Sequence, residues 1–517
     1  MHSEAWYIEP NLWEEQLHGT DFALMEQKQA QEFILCSFLI LQGKKKKQVK
    51  YCLLNNAMKK RIELDSMGEV EVQSDKLWGA QTQRSLMNFK IGDIHMPKEI
   101  IQMLAIVKKS AAYANCELGV LSEEKRNIIA QVCDEISNLD LMEHFPLVVW
   151  QTGSGTQTNM NINEVITNRA ELLLKGSLDD TTRFISPNDD VNKSQSTNDV
   201  FPTAMRLAAY ILLTEKCIPA LETMEASLAL KAKEFKDIVK IGRTHLMDAT
   251  PLRLGSEFSA YSSQLTFGIR ALKNTLLHLQ HLPIGGTAVG TGINAPKGYD
   301  RICVNYINMF TKQTFIAAEN KYEAIASQDA FVETSGALKQ LAVSLTKIAN
   351  DIRLLASGPR CGLSEINLPQ NEPGSSIMPG KVNPTQCEAM CMVCAKIIGN
   401  DHAITIAGMQ GQLQLNVFMP MIAYNILMSI HLLSDMCLSF TKNCLEGITP
   451  NICSIEKHLH NSLMLATALN PHIGYYNTAK IVQYADANQL TLEDAAIALN
   501  LVTKEQFCEW VKPEQMI

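Results

Sequence analysis

The hydrophobic positions of the chain repeat with a helical period between about residues 198 and 455. A clear example is one stripe of six aliphatic residues: Leu338, Leu341, Leu345, Ile348, Ile352 and Leu355. Steps of three and four residues place all six on one face of a helix, and Ser357-Gly358-Pro359 predicts its end. A stripe that repeats every seven residues favours nearly parallel or antiparallel helix packing. The sequence therefore predicts an all-α fold built on a helical bundle.

The change of pattern along the chain divides it into parts. The first residues carry mixed charge, including a basic run at Lys44–Lys47, with no clear helical period. Their acidic residues argue against a mitochondrial presequence. The first well-patterned segment opens at Met58, so we expect the working protein to begin there. The predicted parts are a poorly ordered extension at 1–57, an N-terminal domain at 58–197, the central bundle at 198–455 and a small helical domain at 456–517.

Composition agrees with a helical protein and indicates which partners and which cellular compartment to expect. Hydrophobic residues make up 46% of the 517 positions, but aromatic residues only 6%, which suits packed helices better than β-sandwiches. The formal net charge of −8 gives no reason to expect nucleic acid or anionic membrane as a partner. Fourteen cysteines without a disulfide-like spacing indicate reduced thiols in a cytoplasmic protein.

Four polar stretches stand out because a packed helical protein has little structural use for them. They are Gln151–Asn161, Ser186–Asp199, Gly242–Asp248 and Gly374–Pro384. Taken singly, such a stretch is more often a turn than a site. The fourth is different, because two glycines and two prolines shape a loop that presents Ser375, Lys381 and Asn383 together. Lys381 offers a point charge for a carboxylate, and Asn383 adds direction.

The fourth stretch resembles the signature loop of the aspartase/fumarase superfamily, whose members add or remove groups across a fumaryl double bond. Five further motifs are similar to those of the class II fumarases: Asp65–Gly68, Leu77–Ser85, Trp150–Gln157, Gly285–Gly292 and Val511–Met516. The match extends over residues 58–517. It implies reversible hydration of fumarate to (S)-malate in the citric acid cycle, without a metal or cofactor. It also implies a homotetramer with a 20-helix core, five helices per subunit, and active sites that three chains share.

The resemblance also implies roles for residues at matching positions. Ser375 is expected to be the base that exchanges the carbon-bound proton, stabilised as an alkoxide by backbone N–H groups and Lys381. His245 is expected to position or protonate water, and Glu388 to orient that imidazole. The expected substrate-binding residues are Ser154, Thr156, Ser196, Thr197, Asn198, Thr244, Lys381 and Asn383.

Two positions depart from the usual fumarase pattern. Thr197 stands where fumarases usually have serine, and a threonine here resembles the aspartases. Many fumarases also carry a secondary anion site. The matching residues here are Arg183, Asn188 and Asp189, but Ser186 replaces the histidine of that site. We therefore expect the secondary site to be weak or absent, with little effect on catalysis.

Other functions also fit parts of the sequence. Cys387, Cys391 and Cys394 have the spacing of an iron–sulfur radical enzyme. However, Asn383-Pro384 starts a helical pattern, so the three thiols are predicted to lie on one helix face as small buried hydrophobes. Within the superfamily the alternative is aspartate ammonia-lyase. A helical scaffold without catalysis is a further alternative, although the residues expected to be catalytic are all present.

Overall fold

The structure, a computed structural model, describes residues 59–178, 180 and 182–517. The predicted extension at 1–57 and the expected start at Met58 lie outside these residues. Helices dominate, which confirms the all-α prediction. In chain order they are α1 (Ala80–Asn88), α2 (Lys98–Glu117), α3 (Glu123–Ser137), α4 (Thr156–Lys175), α5 (Thr197–Leu212), α6 (Ile218–Glu234), α7 (Leu254–Leu279), α8 (Tyr299–Thr311), α9 (Lys321–Ala326), α10 (Asp329–Leu355), α11 (Thr385–Gly408), α12 (Met419–Asn443), α13 (Ile452–Asn461), α14 (Asn470–Ile473), α15 (Tyr475–Asn488), α16 (Leu492–Ala498) and α17 (Lys504–Trp510).

Short strands form five separate two-stranded sheets among the described residues. The strands are β1 (Lys60–Asp65), β2 (Gly68–Gln73), β3 (Val239–Thr244), β4 (Met247–Arg253), β5 (His281–Leu282), β6 (Ile316–Ala317), β7 (Ile366–Asn367), β8 (Gly411–Gln412), β9 (Leu415–Asn416) and β10 (Thr449–Pro450). The β3–β4 hairpin interrupts the segment 198–455, which the hydrophobic pattern predicted to be mainly helical. Its strands pair from Val239 with Arg253 to Thr244 with Met247.

Five long helical elements pack into a closed ring. Helix α5 continues through a π-helical turn at Leu213–Cys217 into α6, so that the two form one helical run. This run packs on α7, which packs on α10, then α11, then α12, which returns to α6. The six aliphatic residues of the predicted stripe all lie on the buried face of α10, which ends at Leu355. The prediction of this helix and its end is confirmed.

Helix α12 is a strongly apolar member of this ring. The segment Met419–Gly447 has a mean hydropathy of 1.4 over its most apolar window, and it alone among the described residues is long and apolar enough to cross a membrane. However, 61% of that window is buried inside the protein. Burial against α6 and α11 accounts for the apolar character of this helix.

The two ends of the bundle carry different loops. At the front end, where α5 begins, Asp199 Oδ2 accepts the backbone N–H of Gly285 at 2.9 Å. Met419 N, at the start of α12, donates there to Gly153 O at 2.9 Å. At the rear end, where α6 ends, Lys231 Nζ donates to Ile448 O at 2.9 Å. The helical run from α5 to α6 separates the two ends by roughly 55 Å, at 1.5 Å per residue.

A second, smaller hydrophobic core lies at the C-terminal end of the chain. Leu469, Ile481 and Ala495 are buried in it, and Ile241 of β3 packs against them. The β3–β4 hairpin therefore links the rear end of the bundle to the C-terminal helices. The predicted domain boundaries at 197/198 and 455/456 stay a prediction.

Candidate active site

The front end of the bundle brings together the first two polar stretches. Thr156 begins α4 and Thr197 begins α5, so the positive ends of two helix dipoles lie here. Ser154 Oγ lies 2.7 Å from Thr156 Oγ1, and Ser196 Oγ accepts the N–H of Asn198 at 3.3 Å. We call these five residues the donor cluster. Helix N-termini lined with hydroxyl and amide groups favour an anionic ligand.

Two glycines allow the donor cluster to form. A Cβ on Gly153 would lie 1.4 Å from the carbonyl oxygen of Val417, and a Cβ on Gly155 would lie 2.4 Å from the ring of Phe201. Gly155 also has a φ of +76°, in the left-handed region. Residues 151–155 can therefore lie directly against α5 and the start of α12 only because these two positions lack side chains.

The fourth polar stretch forms a loop at the rear end, which we call the serine loop (Gly374–Pro384). Ser375 Oγ accepts the backbone N–H of Met378 at 3.0 Å and that of Ile377 at 3.3 Å. Two N–H donors directed at one hydroxyl oxygen favour negative charge on it. The backbone of this loop therefore supplies part of the stabilisation that a serine base requires.

The base of the serine loop is closed, whereas its tip is open. Gly374 N donates to Lys381 O at 2.8 Å, and Asn383 Nδ2 donates to Gly374 O at 2.6 Å. Ile377, at the tip, is 84% exposed. Asn383 thus uses one amide N–H to hold the loop together, while the exposed side chain of Lys381 is available to a ligand.

The third polar stretch forms the tip of the β3–β4 hairpin, which we call the histidine hairpin (Val239–Arg253). Thr244 and His245 are exposed there, and Leu246 is 75% exposed. His245 and Leu246 have φ values of 57° and 63°, so a left-handed turn directs the tip away from the chain. Within the described residues, no hydrogen bond or ion pair joins His245 to another residue of the same chain.

A buried cluster of charges fixes the base of the histidine hairpin. The Glu365 carboxylate is fully buried and forms ion pairs with Arg243 at 2.8 Å and with Lys240 at 3.1 Å. Lys240 Nζ also lies 2.9 Å from Glu257, and His458 Nδ1 lies 3.0 Å from Glu365. Burial alone would raise the pKa of Glu365, but the adjacent Arg243 and Lys240 lower it below its ordinary value. The hairpin is therefore anchored through an ionised carboxylate.

Glu388 lies in the first turn of α11, on an exposed stripe of that helix. The stripe continues along the whole helix, in steps of four and three residues, through Met392, Ala395, Gly399, His402, Ile406 and Met409. Met392 is 68% exposed and Met409 is 69% exposed. An apolar seam with this period matches a surface that packs against another helix.

The three groups of predicted site residues do not meet within one chain. The donor cluster lies at the front end of the bundle, whereas the serine loop and the histidine hairpin lie at the rear end. The α11 helix alone, which separates the serine loop from the β8–β9 turn at the front end, spans roughly 36 Å at 1.5 Å per residue. Within the described residues, the predicted site residues of one chain therefore lie at two opposite ends of the bundle.

Comparisons with known proteins agree with this geometry. A family model described as "Lyase" matches residues 68–399, and one described as "Fumarase C C-terminus" matches residues 465–517. The fumarate hydratase class II of Pasteurella multocida is 64% identical over 458 residues, which are 88% of this chain and 98% of that protein. The chain belongs to the class II fumarases.

More distant members of the family agree with this membership. The fumarate hydratase class II of Bacillus subtilis is 55% identical over 460 residues, 89% of this chain and 99% of that protein. The crystal structure of the class II fumarase from Schistosoma mansoni aligns with a TM-score of 0.86 and 44% identity. It covers 89% of this chain and 99% of that one. The fold of this chain is therefore the class II fumarase fold over most of its length.

Three of the four residues that match the secondary anion site of other fumarases contact partners within the chain. Arg183 Nη2 lies 3.2 Å from Glu63 Oε1, and Arg183 Nε donates to Asn168 Oδ1 at 2.9 Å. Ser186 Oγ donates to Asp189 Oδ2 at 2.9 Å, and Asn188 is exposed. Glu63 Oε1 lies closer to Arg61, at 2.6 Å, so its charge is shared between two arginines. The expectation of a weak or absent second site stays a prediction.

The three closely spaced cysteines lie on the inner side of this fumarase's α11, as the helical pattern predicted. Cys387 and Cys394 are fully buried, and Cys391 is half-buried. Burial raises the pKa of Cys394 to about 11 and also raises the pKa of Cys391. Buried cysteines act as small hydrophobes in helix packing, which accounts for Cys387 and Cys394 at these positions.

Sequence reasoning missed the residues that support the site. Lys108 and Glu365 are both fully buried, yet neither belongs to a polar stretch. A signal for Lys108 was present, because it occupies the apolar stripe of α2 that also contains Ile101 and Leu104. A lysine on a buried stripe is rare unless it has a partner. Nothing comparable in the sequence marks Glu365.

Proposed function

We propose that this chain catalyses the reversible hydration of fumarate to (S)-malate, a step of the citric acid cycle, through an aci-carboxylate intermediate. The observation that carries this proposal is the hydroxyl oxygen of Ser375, which accepts two backbone N–H groups within a loop that also carries Lys381. An ordinary serine hydroxyl is too weak a base for a carbon acid. Two N–H donors and an adjacent cation make the alkoxide accessible.

The reaction requires a proton to leave or join one carbon, while water adds to or leaves the other. Ser375 exchanges the carbon-bound proton, and the extra negative charge moves into the carboxylate next to that carbon. In hydration His245 orients the attacking water and accepts its proton, and in dehydration it gives that proton to the leaving hydroxyl. Glu388 holds the imidazole in one orientation. Both groups lack a side-chain partner within the described part of their own chain, which supports a pairing completed between chains.

The substrate is a dianion, and the site provides for both of its carboxylates. The donor cluster and Thr244 supply hydroxyl groups, an amide and two helix N-termini. Lys381 supplies a positive charge, and Asn383 a directed N–H group. The serine loop therefore binds one end of the substrate close to the base.

We propose a homotetramer whose active sites each take residues from three chains. The opposite positions of the donor cluster and the serine loop in one chain support this arrangement, because they are tens of ångströms apart. The exposed stripe of α11 supports it independently. Glu388 begins that stripe, so packing α11 against another copy would bring its carboxylate to a subunit interface.

No metal or cofactor enters this mechanism, and we place the protein in the cytoplasm. The cysteines in the described part of the chain are all free thiols. Free thiols in this number agree with a reducing compartment.

The proposed activity is tested by following the ultraviolet absorbance of fumarate. Malate and aspartate are supplied separately to the purified full chain, each with and without a chelator. We expect fumarate to appear from malate at the same rate with chelator, and no fumarate from aspartate. Production of fumarate from aspartate alone would make the protein an aspartate ammonia-lyase instead.

A further inference from the structure

A fully buried lysine lies behind the donor cluster. Lys108, in the middle of α2, has no exposed surface. Its Nζ donates to Asn192 Oδ1 at 2.9 Å and to Gln195 Oε1 at 3.0 Å. Both partners are uncharged side chains of the segment that leads into α5. A buried cation that is paired only with neutral oxygens is unusual enough to need an explanation.

Lys108 makes the shorter of two hydrogen bonds that fix the direction of the Asn192 amide, the other being from Asn192 Nδ2 to Gln195 O at 3.3 Å. A lysine ammonium can donate hydrogen bonds but cannot accept them, so Asn192 has to present its oxygen to Lys108. That oxygen also accepts Asn159 Nδ2 at 3.2 Å and Asn163 Nδ2 at 3.3 Å. The amide oxygens of Asn159 and Asn163 are buried and have no partner among the described residues. An unpaired buried oxygen costs free energy. We therefore infer that a neighbouring group imposes this orientation on Asn159 and Asn163.

The same hydrogen-bond direction extends to the hydroxyl of Thr197, a predicted substrate-binding residue. Asn159 Nδ2 also donates to Thr197 Oγ1 at 3.0 Å. Because the Thr197 oxygen is used as an acceptor toward Asn159, its own O–H is free to donate in another direction. A donor is what a substrate carboxylate requires.

We propose that Lys108 is a positioning residue, which fixes the hydrogen-bond direction from Asn192 through Asn159 so that the Thr197 hydroxyl donates to the bound dicarboxylate. This inference rests on the proposed function, since it takes Thr197 as part of the substrate site. Lys108 itself does not touch the substrate.

The charges around Lys108 are compatible with this role. Burial lowers the pKa of Lys108 to about 7, with Asp199 acting in the opposite direction. Asp199 does not accept from Lys108, because its oxygens bind the backbone N–H groups of Ser196, Gly285 and Thr287. Even a neutral amine keeps two N–H groups, one for Asn192 and one for Gln195. A neutral amine could also accept, but Asn192 Nδ2 already donates to the backbone oxygen of Gln195 at 3.3 Å, which keeps the Asn192 oxygen toward Lys108.

The test is a double-mutant cycle on the full-length enzyme with Lys108→Met and Thr197→Val. Each single variant should raise the KM for fumarate about ten- to a hundred-fold, as expected for losing a hydrogen bond to a charged group, with a smaller change in kcat. If Lys108 acts through Thr197, the double variant should have the KM of Thr197→Val alone. A lysine with only a structural role would change the unfolding midpoint without this dependence.

A charge-matched pair of variants tests the same point without removing the lysine, should Lys108→Met fail to fold. Asn159→Asp and Asn163→Asp each place a carboxylate beside Asn192. Only in Asn159→Asp does the Thr197 hydroxyl face an acceptor in place of a donor. The Thr197 O–H group then points toward that carboxylate and away from the substrate. Both carboxylates face the Asn192 oxygen and should raise the KM. We expect the rise to be clearly larger for Asn159→Asp, because Asn159 also contacts Thr197.

The possible results separate this inference from the proposed function. A raised KM in Thr197→Val with an unchanged KM in Lys108→Met, or additive effects in the double variant, would overturn the role of Lys108 alone. Equal KM values in Asn159→Asp and Asn163→Asp would also overturn the role of Lys108. An unchanged KM in Thr197→Val would instead remove Thr197 from the substrate site.

Discussion

The Glu365 carboxylate lies 2.8 Å from the Arg243 guanidinium, two residues before the exposed His245. Lys240 approaches the same carboxylate from β3 and also pairs with Glu257, so the buried Glu365 carboxylate is shared between two cations. The position of the histidine hairpin therefore depends on one side chain that lies outside the hairpin.

Replacing Glu365 with glutamine should strongly destabilise the protein. The variant leaves Lys240 and Arg243 without their shared counter-charge, which costs about 3–5 kcal/mol for a buried pair. Unfolding in urea at pH 7 measures the loss. The matched control is Glu257→Gln, because Glu257 also pairs with Lys240 but is partly exposed, and its loss should be clearly smaller. Equal losses in both variants would contradict the central role of Glu365.

The same carboxylate should make stability depend on pH in acid. Because the pKa of Glu365 is lowered in the folded protein, its stabilisation is fully present above the ordinary glutamate pKa of about 4.3. It is lost as the pH falls through the lower folded value. Wild type should therefore lose stability more steeply than Glu365→Gln below about pH 4, near that ordinary value. Parallel pH profiles of unfolding free energy would argue against this.

Glycine at position 155 should be required for more than its backbone angle. Gly155→Ala forces a φ of +76° on alanine and brings its Cβ against Phe201. Gly176→Ala imposes nearly the same φ, +77°, in open space, and should cost only about 1–2 kcal/mol. We expect Gly155→Ala to cost about 1–3 kcal/mol more, from overpacking. Denaturant titration of both variants would give the difference, and equal costs would mean that Phe201 simply moves aside.

Ser375→Ala should abolish most turnover while the protein keeps its fold and assembly. Loss of a general base reduces rates about 10²- to 10⁴-fold, and the loop base at Gly374 and Lys381 is unaffected. Ser376→Ala is the matched control, since Ser376 is an adjacent exposed hydroxyl and should keep nearly full activity. Initial rates with malate and a sedimentation profile are the measurements. A wild-type rate in Ser375→Ala would remove this serine from the mechanism.

Mixing two inactive variants should restore activity if sites are shared between chains. One variant is Ser375→Ala in the serine loop, and the other is the double variant Ser154→Ala, Thr156→Val in the donor cluster. After the two are unfolded and refolded together in equal amounts, about a quarter of the sites should combine an intact loop with an intact donor cluster, by random assembly of a symmetric oligomer.

The control for this experiment mixes Ser375→Ala with Lys381→Met. Both changes lie in the same serine loop, so no site can receive an intact copy of it. Activity in the first mixture and none in the second supports shared sites. Activity in neither mixture would place the complete site within one chain.

Local sequence determined the helices and the chemistry of this protein. The stripe from Leu338 to Leu355 defined α10 and its end, because helical periodicity is a property of neighbouring residues. The four polar stretches were also visible, since serine, asparagine and glycine in such runs have little use in a helical core. Comparisons then confirmed the family that their motifs indicated.

Tertiary structure decided what lies next to what. The sequence contains no sign that Lys108 meets Asn192, or that Glu365 lies between Lys240 and Arg243. These contacts join residues far apart in the chain, and their charges are stable only because partners arrive from other elements. The β3–β4 hairpin was missed although its strands are neighbours in the sequence, because Glu365 and the C-terminal core that hold it in place come from distant parts of the chain. The separation of Ser375 from the donor cluster likewise follows from helix length and packing order, which no local pattern encodes.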